Sequence, residues 1–344
     1  MRLATRARLS TLVLALAGMS LSLPGSPAAA ATAATAAADI ARPLPVQSVR
    51  GVAADAFSHV YVATDAGVLV TDTAGNRLRT ISYNQVLDLA LSRDGSRLYL
   101  AERGNVALSV FDTKTLKQVA RHVLPPGMCP ISIAPTTRYI AFGFACDGGQ
   151  GGVGFLSLAN PKAKPVTFTS GSFAYNPLVR ALPTGDSVLA ASAGSSSGTD
   201  VAVVSPTRVV REGLLESCLN LQDLAVAPDG RSFVPACGWP YRFDRYSTTA
   251  LAITGTMLAT AYPSAVAFSP SGRLLAGGVN AAQDPDLWTY PAAASPRRPV
   301  ELGGSGVTKG LAFSPTGKVI YAIARTPAGK YVLHTAPGER TGSA

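Results

Sequence analysis

Residues 86–101 read VLDLALSRDGSRLYLA: an alternating apolar run, a Ser-Arg-Asp-Gly turn, and a second alternating run. Period-two alternation on both sides of a Gly turn is the pattern of a β-hairpin. The hairpin returns as LAVAPDGRSFVPA at 224–236, VAFSPSGRLLAG at 266–277 and LAFSPTGKVIYA at 311–322. Weaker copies stand at 52–62 (VAADAFSHVYV), 131–142 (ISIAPTTRYIAF) and 179–190 (VRALPTGDSVLA). Indexed on the turn, the copies fall at Phe57, Gly95, Thr137, Gly185, Gly230, Gly272 and Gly317, spaced by 38, 42, 48, 45, 42 and 45 residues. Four short strands repeating every ~40–45 residues make a β-propeller blade. Solenoids of similar period are helical, and no apolar run here follows a 3.6 spacing. The expected fold is all-β: a seven-bladed β-propeller of four-stranded antiparallel blades over residues 40–344.

Working outward from the hairpins, the residue five before the turn is small in most copies: Ala90, Ser132, Ala225, Ala267 and Ala312. Its neighbours are large, so twisted sheets can nest near a crowded axis. Blade four departs, with Arg180 at that position. Third strands are expected to end at Asp72, Asp112 and Asp244, where a carboxylate can accept backbone N–H bonds in an Asx-turn. The last copy offers strands at 310–314, 319–323 and 330–335 and then no fourth. Residues 40–48 are expected to supply it, an N-terminal strand closing the last blade. Pro43 and Pro45 suit an outermost strand, where missing N–H donors are tolerated.

The chain has 344 residues, 47% hydrophobic and 15% charged, which supplies apolar surface for a large core and excludes a disordered polymer. Arg2, Arg6 and Arg8 precede an apolar run at 11–23 and small residues from Ala28 onward. That is the layout of a secretion signal peptide over 1–30, followed by a disordered Ala/Thr linker at 31–39. The run is too short for a membrane span, which needs about 20 residues. The expected product is secreted and monomeric, with no membrane span after cleavage. Losing three arginines lowers the formal charge from +10 to +7. The bases are scattered, whereas nucleic-acid binding wants them on one face, so no nucleic-acid partner is expected.

Cys129 precedes the first strand of its copy and Cys146 follows the second; Cys218 and Cys237 do the same two copies later. The start of one hairpin strand lies beside the end of the other. Among three connectivities, 129–146 with 218–237 is therefore the expected disulfide set, as an oxidising compartment permits.

The Ser-Pro-x-Gly hairpins and the Phe-Asp third strands resemble the seven-bladed propellers of the YVTN, lactonase-like and WD-repeat-like superfamily, over about residues 40–335. The resemblance implies a ligand face built from the loops that enter each blade and those that join its second and third strands. Tyr83, Asn84, Tyr175, Asn176, Asn220, Trp239, Tyr241, Tyr262 and Asn280 fall in such loops. Aromatics alternating with amides suit sugar or peptide contacts through stacking and hydrogen bonding. An unidentified protein or a cell-envelope polysaccharide is the expected partner, and no cofactor or metal is expected. His59 belongs to a turn between the first two strands of its copy, His122 to an outer strand and His334 to a third strand, so they should lie far apart, which argues against a Ser-His-Asp triad or a shared metal. One enzymatic alternative stays open, a lactonase-like hydrolase with an axial Arg/Asp site. Arg50, Asp88 and Asp223 stand seven residues before their turns, and Arg180 lies one pleat deeper. They could bind an ion or activate water, or equally plug the space between blades.

Overall fold

The computed structural model describes residues 36–37, 40–147, 150–169, 173, 176–192, 198–259, 261–280, 285–291 and 298–339. The expected signal peptide and most of the expected linker lie outside them. Seven blades of four antiparallel strands form, as the repeat requires, and the sheet of blade six carries a short fifth strand at its outer edge. Blade one runs Gly51–Ala54, His59–Thr64, Gly67–Asp72 and Arg77–Ser82. The inner strands of blades two to seven are Val86–Leu91, Pro130–Pro135, Pro177–Ala181, Leu219–Val226, Pro263–Phe268 and Ser305–Phe313. Among the described residues, no helix is long and apolar enough to cross a membrane.

The repeat motif has two structural uses. Gly230, Gly272 and Gly317 adopt φ of 69°, 74° and 73°, which glycine tolerates without a Cβ penalty. Each also receives a proline from the preceding blade's turn. A Cβ on Gly230 would lie 3.0 Å from Pro183, and on Gly272 or Gly317 3.4 Å from Pro228 or Pro270. The turns thus define both the hairpin and the seam between blades.

Apolar packing sits between the sheets. Tyr61, Val70, Leu89, Leu98 and Phe111 fill the seam between blades one and two. Leu44, Val60, Val62, Tyr321, Ile323 and Leu333 fill the seam between blades seven and one. Each blade is therefore held on both faces, and its alternating residues divide between two cores.

The ring closes through the N-terminal segment. Ile40–Pro43 pairs antiparallel with Tyr331–Pro337, with Ile40 opposite Thr335 and Pro43 opposite Val332. Leu44 continues the ladder by donating its N–H to Tyr331 O at 2.8 Å, and its side chain is buried in the seam core. The closing strand is shorter than the expected 40–48, because the chain leaves the sheet after Leu44, one residue before Pro45. Ala36–Ala37, expected as part of the linker, pairs parallel with Val300 and Glu301 at the outer edge of blade six.

Both disulfides form as expected, Cys129–Cys146 with Cα atoms 5.0 Å apart and Cys218–Cys237 with 5.3 Å. Asp72 and Asp112 make the expected turns, accepting N–H bonds from Ala74 and Thr115 at 2.9 Å. Asp244 does not. It lies inside the strand Arg242–Ser247, and the turn instead uses the Ser247 hydroxyl, which accepts from Thr249 and Ala250 N–H. The inner strand of blade seven starts at Ser305 rather than at residue 310. Its register jumps from Gly306 opposite Ala324 to Leu311 opposite Ala322, so a bulge hid the first half of the strand from the alternation.

Candidate functional site

Four charged side chains meet on the axis. Asp88 and Asp223 each follow a β-bulge in the inner strands of blades two and five, and Arg180 extends between them from blade four. Its guanidinium donates to Asp88 Oδ2 at 3.2 Å and to Asp223 Oδ1 at 2.9 Å. Lys309, from the bulge of blade seven, brings Nζ to 3.6 Å from Asp88 Oδ1. Two cations and two carboxylates cancel. The carboxylates are 2% and 4% exposed, so only this mutual pairing and their hydrogen bonds make the burial tolerable.

Backbone groups complete the cluster. Asp88 Oδ2 accepts Ile133 N–H at 3.2 Å, and Asp223 accepts Leu224 N–H at 2.8 Å and Val266 N–H at 3.1 Å. Arg180 Nε donates to Leu224 O at 2.9 Å. These bonds join blade two to three, four to five, and five to six across seams that have no shared sheet ladder. Ser132 does likewise between blades three and four, donating to Pro177 O at 2.7 Å.

Burial opposes the Arg180 charge, yet Asp88 and Asp223 outweigh it and hold its pKa above the ordinary value. Burial pushes the Asp223 carboxyl above its ordinary value, against the pull of Arg180 and the two N–H donors. Burial also lowers the Lys309 ammonium, against the attraction of Asp88.

The cluster separates two axial cavities. The one towards the hairpin turns, about 330 Å³, is lined by Ala90, Ala134, Ala181, Ala225 and Ala267 beneath the charged groups. The one towards the loop face, about 390 Å³, is lined by Arg50, Arg103, Asn176, Gln222, Thr308 and Lys309. Arg50 therefore does not join Asp88, Arg180 and Asp223. Asp65, in the turn after the second strand of blade one, holds it by two bonds of 2.8 and 3.0 Å. Among the described residues, no three His, Cys, Asp or Glu side chains are placed to hold a metal.

The second candidate region is the loop face of blades five and six. The first two strands of blade five, Leu219–Val226 and Ser232–Trp239, are eight residues long, two more than their counterparts in blade six. The extension lifts Trp239 above the blade, with the Cys218–Cys237 bridge at its base. Trp239 and Tyr241 rings meet edge to face at 5.0 Å, and Tyr241 and Tyr262 meet at 5.6 Å. They remain 54%, 40% and 47% exposed. Gly238 allows the close fit, since a Cβ there would lie 2.9 Å from Tyr262 and 3.0 Å from the Asn220 amide. Asn280 N–H donates to Tyr262 O at 2.8 Å, which ties the aromatic group to blade six.

The other loop residues are placed differently. Tyr83 packs edge-on to Phe111, and its hydroxyl donates to Gln118 at 2.9 Å, so it belongs to blade two's own packing. The Asn84 amide lies over Gly104, where a Cβ would come within 2.7 Å of it. Tyr175 lies outside the described residues. Lys309 was not legible from turn indexing, because the bulge shifts it one position from Arg50, Asp88 and Asp223. A lone Lys in an otherwise small and apolar inner strand was the available signal.

No family model matches the chain, and no curated protein matches it. Among solved structures, a chain of Kuenenia stuttgartiensis hydrazine synthase superposes with a TM-score of 0.66 at 15% identity, over 86% of this chain and 97% of that one. A chain of a mitotic checkpoint complex superposes with a TM-score of 0.69 at 13% identity, over 96% of this chain and 100% of the other. The likeness is one of fold. Because 1526 solved chains match in this way, a seven-bladed propeller leaves the activity to be argued from the site.

Proposed function

We propose that the chain is a secreted, non-catalytic propeller that binds a protein or a cell-envelope glycan through its loop face. One observation carries the reading: Trp239, Tyr241 and Tyr262 stand 40–54% exposed in a single contiguous group braced by a disulfide. Exposing three large aromatic rings together forgoes burial that the fold could otherwise use, and such patches mark interaction surfaces. The two disulfides accord with an oxidising compartment. A chain of this fold also occurs in a mitotic checkpoint complex.

The lactonase-like alternative has less support. A general base must be open to the group it deprotonates, and Asp88 and Asp223 are only 2% and 4% exposed. Asp88 and Asp223 already accept from Arg180 and from three backbone N–H groups. The test of the binding reading is a pull-down from envelope proteins and envelope glycans with the wild type, Trp239→Ala and Tyr241→Ala. Capture by the wild type that is lost in both variants supports it. Equal capture by all three, or by none, counts against this face.

A further inference from the structure

Resting on that loop-face reading, we infer that the ligand is a carboxylated polysaccharide, its sugar rings on the aromatic group and its acids in the cationic hollow beside it. Asn280 is the joint between the two. Its backbone is bonded to Tyr262, and it also lines a loop-face cavity of about 670 Å³ with Arg50, Arg325, Thr308 and Tyr331. That cavity shares Arg50 and Thr308 with the axial one, which adds Arg103 and Lys309. Among the described residues, no carboxylate lines either cavity.

The cations differ in how they are held. Arg50 is gripped by Asp65 in a pair that is about half exposed, and Arg103, itself mostly buried, by the fully exposed Asp147. Asp147 is fully exposed, so a ligand carboxylate can take its place on Arg103, whereas the two-bond grip of Asp65 keeps Arg50 as a positioned positive wall of the hollow. Arg325 is exposed and has no carboxylate partner among the described residues. A guanidinium fork matches a carboxylate with two parallel bonds, which a hydroxyl cannot reproduce.

The bulge of blade seven builds this hollow. Thr308 Oγ1 donates across the axis to Gln222 Oε1 at 2.9 Å, and Lys309 takes φ of 55°. Bulges of this kind re-aim side chains next to functional sites. The polar rim of Asn220, Gln222 and Asn280 offers amide donors and acceptors for sugar hydroxyls. Flat rings, amides and the Arg325 guanidinium beside a cationic hollow together fit a pyranose acid better than a neutral glycan or an acidic peptide.

The experiment is calorimetric titration with polygalacturonate, with its highly methyl-esterified counterpart, and with poly-glutamate. The wild type is expected to bind polygalacturonate at least ~10-fold more tightly than the ester at low salt, with the gap closing as salt screens exposed charges. Arg325→Glu should remove that preference, its loss falling far more heavily on polygalacturonate than on the ester. Trp239→Ala should weaken both polysaccharides, with thermal melts of each variant confirming the fold. Equal affinity for acid and ester overturns the inference while leaving the loop-face reading intact. Poly-glutamate binding as tight as polygalacturonate overturns the choice of a glycan. Trp239→Ala without effect on a bound polysaccharide overturns the loop-face reading itself.

Discussion

The axial charges and the loop-face aromatics put chemistry in opposite places. On the axis, four ionisable groups are buried and consume one another's bonding capacity. At the loop face of blades five and six, three aromatic rings are left in water beside amides and a disulfide. A charged cluster near a channel invites a catalytic reading, yet here every carboxylate is already engaged. The exposed rings look like ordinary loop residues in sequence, yet they carry the unspent contact area. Polarity that is satisfied holds the blades together, and apolarity that is unsatisfied waits for a partner.

The most severe test of that contrast is to remove the central cation. Arg180→Met leaves Asp88 and Asp223 buried without their bridge and is expected to cost ~3–5 kcal/mol in urea unfolding. Adding Asp223→Asn alone should return more than half of the loss, because Asp88 then pairs with Lys309 and no carboxylate is left without a cation. A cost for Arg180→Met below ~1 kcal/mol would mean that the cluster does not hold the blades.

Removing a disulfide separates stability from binding. Replacing both cysteines of either bridge with serine should cost about 3 kcal/mol, since the closed loops have similar lengths of 17 and 19 residues. Only the Cys218/Cys237 pair should also weaken ligand capture, as it underlies Trp239. Equal binding losses from the two pairs would remove the special standing of blade five.

A third polar group sharpens the comparison, because it is buried without satisfaction. His334 lies opposite Ala41 of the closing strand, and neither ring nitrogen has a hydrogen-bond partner among the described residues. Burial lowers its pKa from 6.5 to about 4. Between these values the unfolded chain binds more protons than the folded one, so stability falls as pH drops from 6.5 towards 4. The full loss is on the order of 3 kcal/mol. Comparing pH-dependent melts of the wild type and His334→Leu isolates it, and identical slopes would exclude His334 as the cause.

The smallest stability effect is expected at the functional face. Trp239→Ala should change unfolding free energy by less than ~0.5 kcal/mol, as for other surface substitutions, while binding falls at least ~10-fold. A large stability loss would make Trp239 part of the packing and blur the contrast.

The blades were legible because a turn recurs in every hairpin, and at Gly230, Gly272 and Gly317 the same turn also meets a proline of the preceding blade. The disulfides followed from hairpin geometry alone. The axial group was only half legible. Asp88, Arg180 and Asp223 share inner-strand positions, but Arg50 answers to Asp65, a partner 15 residues away that turn indexing does not reveal. Lys309 was hidden by a bulge that breaks the count of positions from Gly317. Tyr83 and Trp239 look alike in sequence, and what separates them is a hydrogen bond to Gln118 in one and a longer hairpin under the other.

The pairing of Ile40–Pro43 with Tyr331–Pro337 has a consequence for how the molecule is assembled. Its partners lie roughly 295 residues apart, the opposite of the local hairpins that fill the rest of each blade. Six blades can form from neighbouring segments as the chain is delivered, but the closing strand, made near the beginning, must wait unpaired until blade seven follows. Pro43 lacks an N–H to offer to a stray strand, and the segment is only four residues long. The latch therefore resists mispairing during that wait, at the cost of making the earliest part of the propeller the last to be fixed in place.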